Sequence, residues 1–433
     1  MRARPRAAAA VIIAASLALT ACGRGAAEQA GGSASPAAAS QVPTGPAKGT
    51  VEVWAMGTEG EKLGELARAF EQDNPEVTIK VTAIPWDSAH DKIATAIAGQ
   101  QTPDVSLVGT TWMGEFARAG ALEPTPAGIE PQAFFPGAWD SAVVDGTAYG
   151  VPWYVETRVV YYRKDLAARA GLTPPRSWAE LTAFARGLHD KAGATWGLSL
   201  QPGGTGSWQT FLPFAWQAGA TLTTPDQSAF TLDTPAFVRG LSYYRSFFDT
   251  GLSPTDLPQG SLEPDFVKGR IGAFVSGPWH LGILADVGGE KFLDKVGLAP
   301  MPTVAGGDRP GPSFIGGGDL VVFKGSAHRD AAWQFVRWLS QPDTQVRWYR
   351  TVNDLPAVRK AWDDPTLAGD RFLSVFGDQL ATAQAPPALP TWEQVANVID
   401  TETERVIRGG EPPQQAATTI QQKATAIGTG TRG

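Results

Sequence analysis

The chain contains one cysteine, Cys22, so it can form no internal disulfide and no cluster of thiolate metal ligands. Histidine is almost as scarce: His90, His189, His280 and His328 are scattered, which leaves too little for a His-rich metal site, and neither metal nor cofactor is expected. Positive charge is not in excess either. The 36 Lys and Arg are outnumbered by 43 Asp and Glu, giving a net charge of −7, so the surface offers no bulk attraction to polyanions and nucleic acid is not expected as a partner. There is no Gly-x-Ser-x-Gly elbow, no His-Glu-x-x-His, no phosphate loop and no Gly-x-Gly-x-x-Gly after a strand. Hydrolase, metalloprotease, kinase and dehydrogenase readings therefore lack their defining residues. What the chain does have is 433 residues with 43% apolar side chains, enough for two or three domains with buried cores. It also has 15 tryptophans against seven tyrosines, an excess of a side chain that is hard to bury completely because its N–H needs a partner.

Arg2, Arg4 and Arg6 precede an apolar run from Ala7 to Leu19, which is shorter than a membrane-spanning helix and has the charged start of a secretory signal. The run ends Leu19-Thr20-Ala21-Cys22-Gly23, which resembles a bacterial lipoprotein signal in which the cysteine is lipidated and becomes the new N-terminus. The implied division is a signal peptide over 1–21 and a lipidated Cys22 with a flexible tether over 22–48. Residues 23 to 48 are almost all Gly, Ala, Ser, Pro, Gln and Thr, and cannot bury apolar area. At about 5–6 Å × √n, such a spacer reaches on the order of 25–30 Å.

From Thr50 the pattern becomes regular. Val51-Glu52-Val53-Trp54 alternates as a strand, Leu63, Leu66, Ala67 and Phe70 repeat at helical spacing, and Val77, Ile79 and Val81 alternate again. Ser88 with Asp91 reads as a capping box opening a helix through Ile93 and Ile97, and Asp104 to Gly109 is a short apolar strand. This β-α-β-α-β order predicts a parallel, doubly wound sheet, in which ligands sit beyond the carboxyl ends of the strands. Those ends are followed by Thr58-Glu59, Trp86-Asp87 and Thr111-Trp112. Each position alone reads as a cap or loop residue; polar and aromatic side chains at all the strand ends point to a site. Further strands are expected at Ile271 to Val275 and Leu320 to Phe323, with helices at Trp178 to Leu188, Trp208 to Gly219, Phe237 to Phe248, Ala331 to Leu339 and Val395 to Arg408. Trp178, Trp333, Trp338 and Trp348 lie within helical patterns and are assigned to the core.

Several phrases then carry a resemblance: Gly150-Val151-Pro152-Trp153 running to Glu156 and on to Tyr162-Arg163-Lys164-Asp165-Leu166, then Gly277-Pro278-Trp279, Gly316-Gly317-Gly318 and Asn353-Asp354-Leu355-Pro356. In order and spacing, from Gly49 to the end, these resemble the sugar-binding members of the family 1 extracellular solute-binding proteins of bacterial ABC importers. The resemblance implies an α/β, two-lobed, periplasmic-binding-protein-like fold of type II, with doubly wound sheets joined by a hinge of several crossings. The crossings would fall after Glu156, near Ser313 and near Leu355, giving lobe one as 49–157 plus 313–354 and lobe two as 158–312 plus 355–433. It implies a monomer outside the cytoplasm, lipid-anchored to the outer face of the cell membrane, that binds a neutral di- or oligosaccharide and hands it to permease subunits with their ATPase, without chemical change. Ligand contacts would come from Thr58, Glu59, Trp86, Asp87, Thr111, Trp112 and Glu156 on one side, and from Trp208, Gln209, Trp279 and Trp392 on the other. An indole can stack on the C–H face of a pyranose while carboxylates and amides meet its hydroxyl rim. The maltose-binding members carry an acid followed by a base where this chain has Thr111-Trp112, so the sugar itself is left open.

For Trp279 a core position after its strand competes with a stacking role, which the Gly-Pro-Trp turn favours. Both readings stay open for Trp392, and Arg158 either pairs with Glu156 across the hinge or meets the ligand. A secreted glycoside hydrolase using Glu59, Asp87 or Glu156 as acid and base is the alternative function. A binding protein for a non-sugar solute is another, although the strand-end loops carry no clustered Arg or Lys of the kind a phosphate would require.

Overall fold

The computed structural model describes residues 40–431, so the signal peptide, Cys22 and the spacer up to residue 39 lie outside the described residues. The last part of the spacer does not behave as a free tether. Val42 and Ala47 are buried, the Val42 N–H donates to the Ala127 carbonyl at 3.2 Å, and the Gln334 amide donates to the carbonyls of Pro43 and Gly45. Two small apolar side chains and a few backbone bonds suffice to lay residues 40–48 onto the body, a contribution that composition averaged over the whole spacer hides.

Strands β1 (Gly49–Met56), β2 (Val77–Ile84) and β3 (Val105–Gly109) are parallel, with β1 between its two neighbours, as the alternating pattern predicted. The helix Gly64–Asp73 buries Leu66, Ala67 and Phe70. The helix Trp86–Ala98 begins ahead of the expected capping box: its N-cap is Pro85 and it has no side-chain cap. Pro85, held at φ −61° and ψ 135°, already sets the chain for the first turn, and Ser88 Oγ donates back to the Pro85 carbonyl instead.

The other strands of the two main sheets are β4 (Val151–Thr157), β5 (Val159–Arg163), β6 (Ala273–Ser276), β7 (Val296–Ala299), β8 (Ser313–Val322), β9 (Leu355–Pro356) and β10 (Ala383–Gln384), and a short antiparallel hairpin of Val143–Val144 with Thr147–Ala148 stands apart from both. The first sheet is seven-stranded in the order β9-β4-β8-β3-β1-β2, with β10 paired to the start of β8, and the second is three-stranded in the order β6-β5-β7. The architecture is α/β and two-lobed. The sheets are not wholly parallel. Strand β8 runs against both β3 and β4, and β5 runs against both of its partners. The cause is the route of the chain: β8 reaches the first sheet at the carboxyl end of β3, where Gly318 pairs with Gly109, and from there it can only run back down the sheet to Val105. Only Arg158 separates β4 from β5, so the first passage between sheets is a single residue long.

The helical tryptophans fall where expected: Trp178, Trp333 and Trp348 are buried and Trp338 packs against the core. Among the described residues no helix is long and apolar enough to cross a membrane.

The glycine run in β8 has a steric purpose. Gly317 sits at φ +145°, beside the irregularity at Gly318/Asp319, and a Cβ there would lie 2.1 Å from the Tyr154 carbonyl oxygen. Gly317→Ala must therefore push β8 away from β4. The expected loss is about 1–3 kcal/mol of folding stability, read from the shift in urea midpoint at unchanged slope.

Candidate ligand-binding site

The carboxyl ends of β1, β2 and β3 and the passage between β4 and β5 open onto one cavity of 430 Å³. Its lining includes Thr58, Glu59, Trp86, Asp87, Thr111, Trp112, Glu156, Trp208, Gln209 and Trp279, so the positions expected from distant parts of the chain converge. Trp392 is the exception. It is 0% exposed and does not line the cavity; it meets Trp208 edge-on at 5.3 Å, supporting that ring from behind. The first turn of its helix directs the next side chain, Glu393, to the cavity instead.

Glycines make room for the aromatic wall. A Cβ on Gly57 would lie 2.8 Å from Trp86, and one on Gly277 would lie 2.0 Å from Trp279, so both indoles rest against bare backbone. Trp86 meets Trp112 edge-on at 5.7 Å. Trp208 is held by the helix that carries Trp392: the Asp400 carboxylate accepts from the Gly206 and Trp208 backbone N–H groups and from Ser207 Oγ, each at 2.7 Å. Asp400 thus takes the place of a cap for the Trp208–Gln217 helix, whose own N-cap residue supplies no side-chain bond.

Arg158 stands at the centre. It is 7% exposed, places Nη1 3.1 Å from Glu156 Oε2, donates to Gln209 Oε1, and lies 4.5 Å from the centre of the Trp279 ring. It engages Glu156, Gln209 and Trp279 at once, as the pairing reading expects, and it also lines the cavity. The Ser313 hydroxyl donates to the Arg158 carbonyl at 2.7 Å, which ties the start of β8 to the same point.

The acids around this joint are strongly perturbed. Burial pushes Glu59 up from 4.5 to about 7, with Glu156 adding repulsion, and hydrogen bonds from Tyr154 and Trp86 offset only part of this. Asp354, which accepts from Trp348 Nε1 at 3.0 Å, is pushed well above the usual carboxylate range by burial and then by Glu59 and Glu156. Burial also raises Glu156, against the pull of Arg158, and Glu393, against the Thr111 hydroxyl. Among the described residues, the lining holds a single basic side chain, Arg158, and that side chain is already engaged.

Tyr154, Asp354, Glu393, Asn397 and Asp400 also line the cavity and were not singled out from the sequence. A signal existed for the last three: Glu393, Asn397 and Asp400 recur at i, i+4 and i+7, a polar stripe on one helix face. A larger open depression of 910 Å³, with Phe134, Arg337 and Trp362 in its wall, gathers none of these residues. Its Trp362 is spent on Phe135, edge-on at 5.6 Å, and on the Pro356 carbonyl.

Two α/β lobes, a short linking passage and a cavity walled by indoles, acceptors and one engaged base define a solute-binding protein. The sequence pattern of the bacterial extracellular solute-binding proteins matches residues 55–346, and the chain belongs to that family; it is a binding protein, not an enzyme. It is similar to the sugar-binding protein MalE of Xanthomonas citri, with 35% identity over 88% of this chain and 97% of that one and a TM-score of 0.76. The GacH receptor of Streptomyces glaucescens is 27% identical, covers 88% of this chain and 98% of its own, and superposes with a TM-score of 0.81. The diacetylchitobiose binding protein DasA of Streptomyces coelicolor is 26% identical over 381 residues, 85% of this chain and 87% of that protein.

The raised Glu59 gives a testable linkage. The folded protein keeps a proton that the unfolded chain releases near 4.5, so this group costs stability as pH rises from 4.5 to about 7. Glu59→Gln removes the cost. Its stability relative to the parent should grow across that window and level off above it, in urea titrations at a series of pH values.

Proposed function

We propose that the chain is the substrate-binding component of an ABC importer that holds a neutral di- or oligosaccharide in the cavity between its lobes and passes it unaltered to the permease. The observation that carries this reading is the composition of the cavity wall: Trp86, Trp112, Trp208 and Trp279 with carboxylates and amides between them, and no basic side chain left over for an anion. Rings supply faces and edges for C–H patches, and buried acceptors supply the hydroxyl rim. A phosphorylated solute would need a free Arg or Lys where Arg158 is already committed. The relatives agree in kind: one is described as sugar-binding, one was solved with acarbose, and one is named for diacetylchitobiose.

In this reading lobe one is 49–157 plus 313–354 and lobe two is 158–312 plus 355–433, and β9 at the third passage stays paired with Val155 and Tyr154 of β4. The lobes close on the sugar, because contacts on both sides can be made together only in the closed form. For sugar to drive an open population almost wholly closed it must favour the closed state about 10⁴-fold, roughly 5.5 kcal/mol. The closed, loaded form presents the permease with a surface the open form lacks. In this reading the protein is a monomer exported by its leader and held by a lipid on Cys22 at the outer face of the membrane.

Calorimetric titration with maltose-type, trehalose, cellobiose and xylose-type sugars tests the proposal: at least one should bind and be recovered intact, and released monosaccharide would refute it. Against the sugar that binds, Trp279→Ala should lose about 2–4 kcal/mol of affinity while remaining folded. Unchanged affinity in that folded variant would return Trp279 to the core.

A further inference from the structure

We infer that Glu393 is a ligand-contacting, specificity-determining residue whose Oε1 accepts a hydrogen bond from a ligand hydroxyl, an inference that rests on the sugar-binding reading and deepens it. Glu393 Oε1 is sealed from solvent and has no donor in the structure. The side chain belongs to the cavity wall and takes part of its support from the Thr111 hydroxyl, which follows β3 on the opposite side. An acceptor buried without a donor costs about 1–3 kcal/mol, and a folded chain retains one where something else supplies the partner.

The other unpartnered groups have explanations within the protein or lie away from the cavity. Trp153, Trp333 and Trp392 bury their indole N–H groups outside it, and Glu156 Oε2 and Arg158 Nε belong to side chains that face each other at 3.1 Å. On the same helix face, Asp400 spends its carboxylate on three donors from residues 206–208, which makes it structural. Glu393 has no comparable internal task.

The chemistry of the missing partner follows. A carboxylate oxygen can be satisfied by O–H or N–H, but not by a ring oxygen, an acetal oxygen or a C–H bond, and it repels an anion. Burial raises Glu393 above the usual carboxylate range, the Thr111 hydroxyl and His90, whose Nε2 lies 2.9 Å from Glu115, pull it back down, and Glu115 pushes it up. Because Thr111 and the ligand meet the same carboxylate from different sides, a sugar lacking the hydroxyl at this point loses its own bond and leaves Oε1 as bare as in the free protein.

The test uses the sugar that the calorimetric panel identifies, its monodeoxy analogues, and the variants Glu393→Ala and Glu393→Gln. Glu393→Ala should bind the parent sugar about 10- to 100-fold more weakly, and Glu393→Gln, which keeps the volume and one acceptor, should recover most of that loss. One monodeoxy analogue should lose a similar factor on the parent protein and nothing further on Glu393→Ala, a coupling that a purely structural role would not produce. Both variants should melt at or above the parent temperature without sugar, since a poorly satisfied buried carboxylate has been removed. Parent-like affinity in a folded Glu393→Ala, or every analogue losing the same extra factor on that variant, overturns the assignment of Glu393 alone. Failure of the parent protein to bind any sugar in the panel overturns the functional reading and this inference together.

Discussion

The Glu156–Arg158 pair is the contact on which the site depends. It lies where one residue separates β4 of one sheet from β5 of the other, and burial there disfavours both charges. A pair of this kind gains little over an apolar substitute, yet removing one member leaves a charge buried without compensation. Its value is therefore positional. Glu156 fixes Arg158 from the first sheet, Gln209 and Trp279 engage it from the other side, and Ser313 holds its backbone, so the passage and the cavity wall are set by the same few groups.

Around that joint the protein tolerates acids in places that disfavour ionisation. Glu59 and Asp354 face each other's charge and that of Glu156 within one cavity. Asp319, farther along β8, accepts from the Ser141 hydroxyl, and burial pushes it up to about 7. It lies opposite Pro152, which has no N–H to offer. Such groups subtract from stability, and the deep apolar cores on both sides offset them. Clustering acids where they are poorly solvated is what a site prepared to exchange its water for a polyhydroxylated ligand requires, because each acceptor then gains most when a hydroxyl arrives.

Much of this was legible in the sequence, and the misses have physical causes. Strand-end residues were found because hydrophobic alternation located β1, β2 and β3, and open α/β sheets place ligands beyond those ends. Strand β8 was read only as Leu320 to Phe323 because its first half, Ser313 to Gly318, contains three glycines and so shows no alternation of apolar and polar residues. Its antiparallel course depends on where the chain re-enters the sheet, which no local pattern encodes. The resemblance implies Trp392 as a ligand contact, with a core position equally open, and the helix start turns that ring to the core and Glu393 to the cavity. Asp354 sat within a recognised phrase, yet its burial beside two other acids is a tertiary fact.

The central claim is that one ligand draws two lobes together around this joint. Small-angle X-ray scattering of the mature protein, without and with a saturating concentration of the sugar that binds, measures this most directly. The account requires a smaller radius of gyration in the loaded protein than in the free one. An identical radius of gyration at saturation would contradict it, because binding would then occur without the change of shape that the permease is proposed to read.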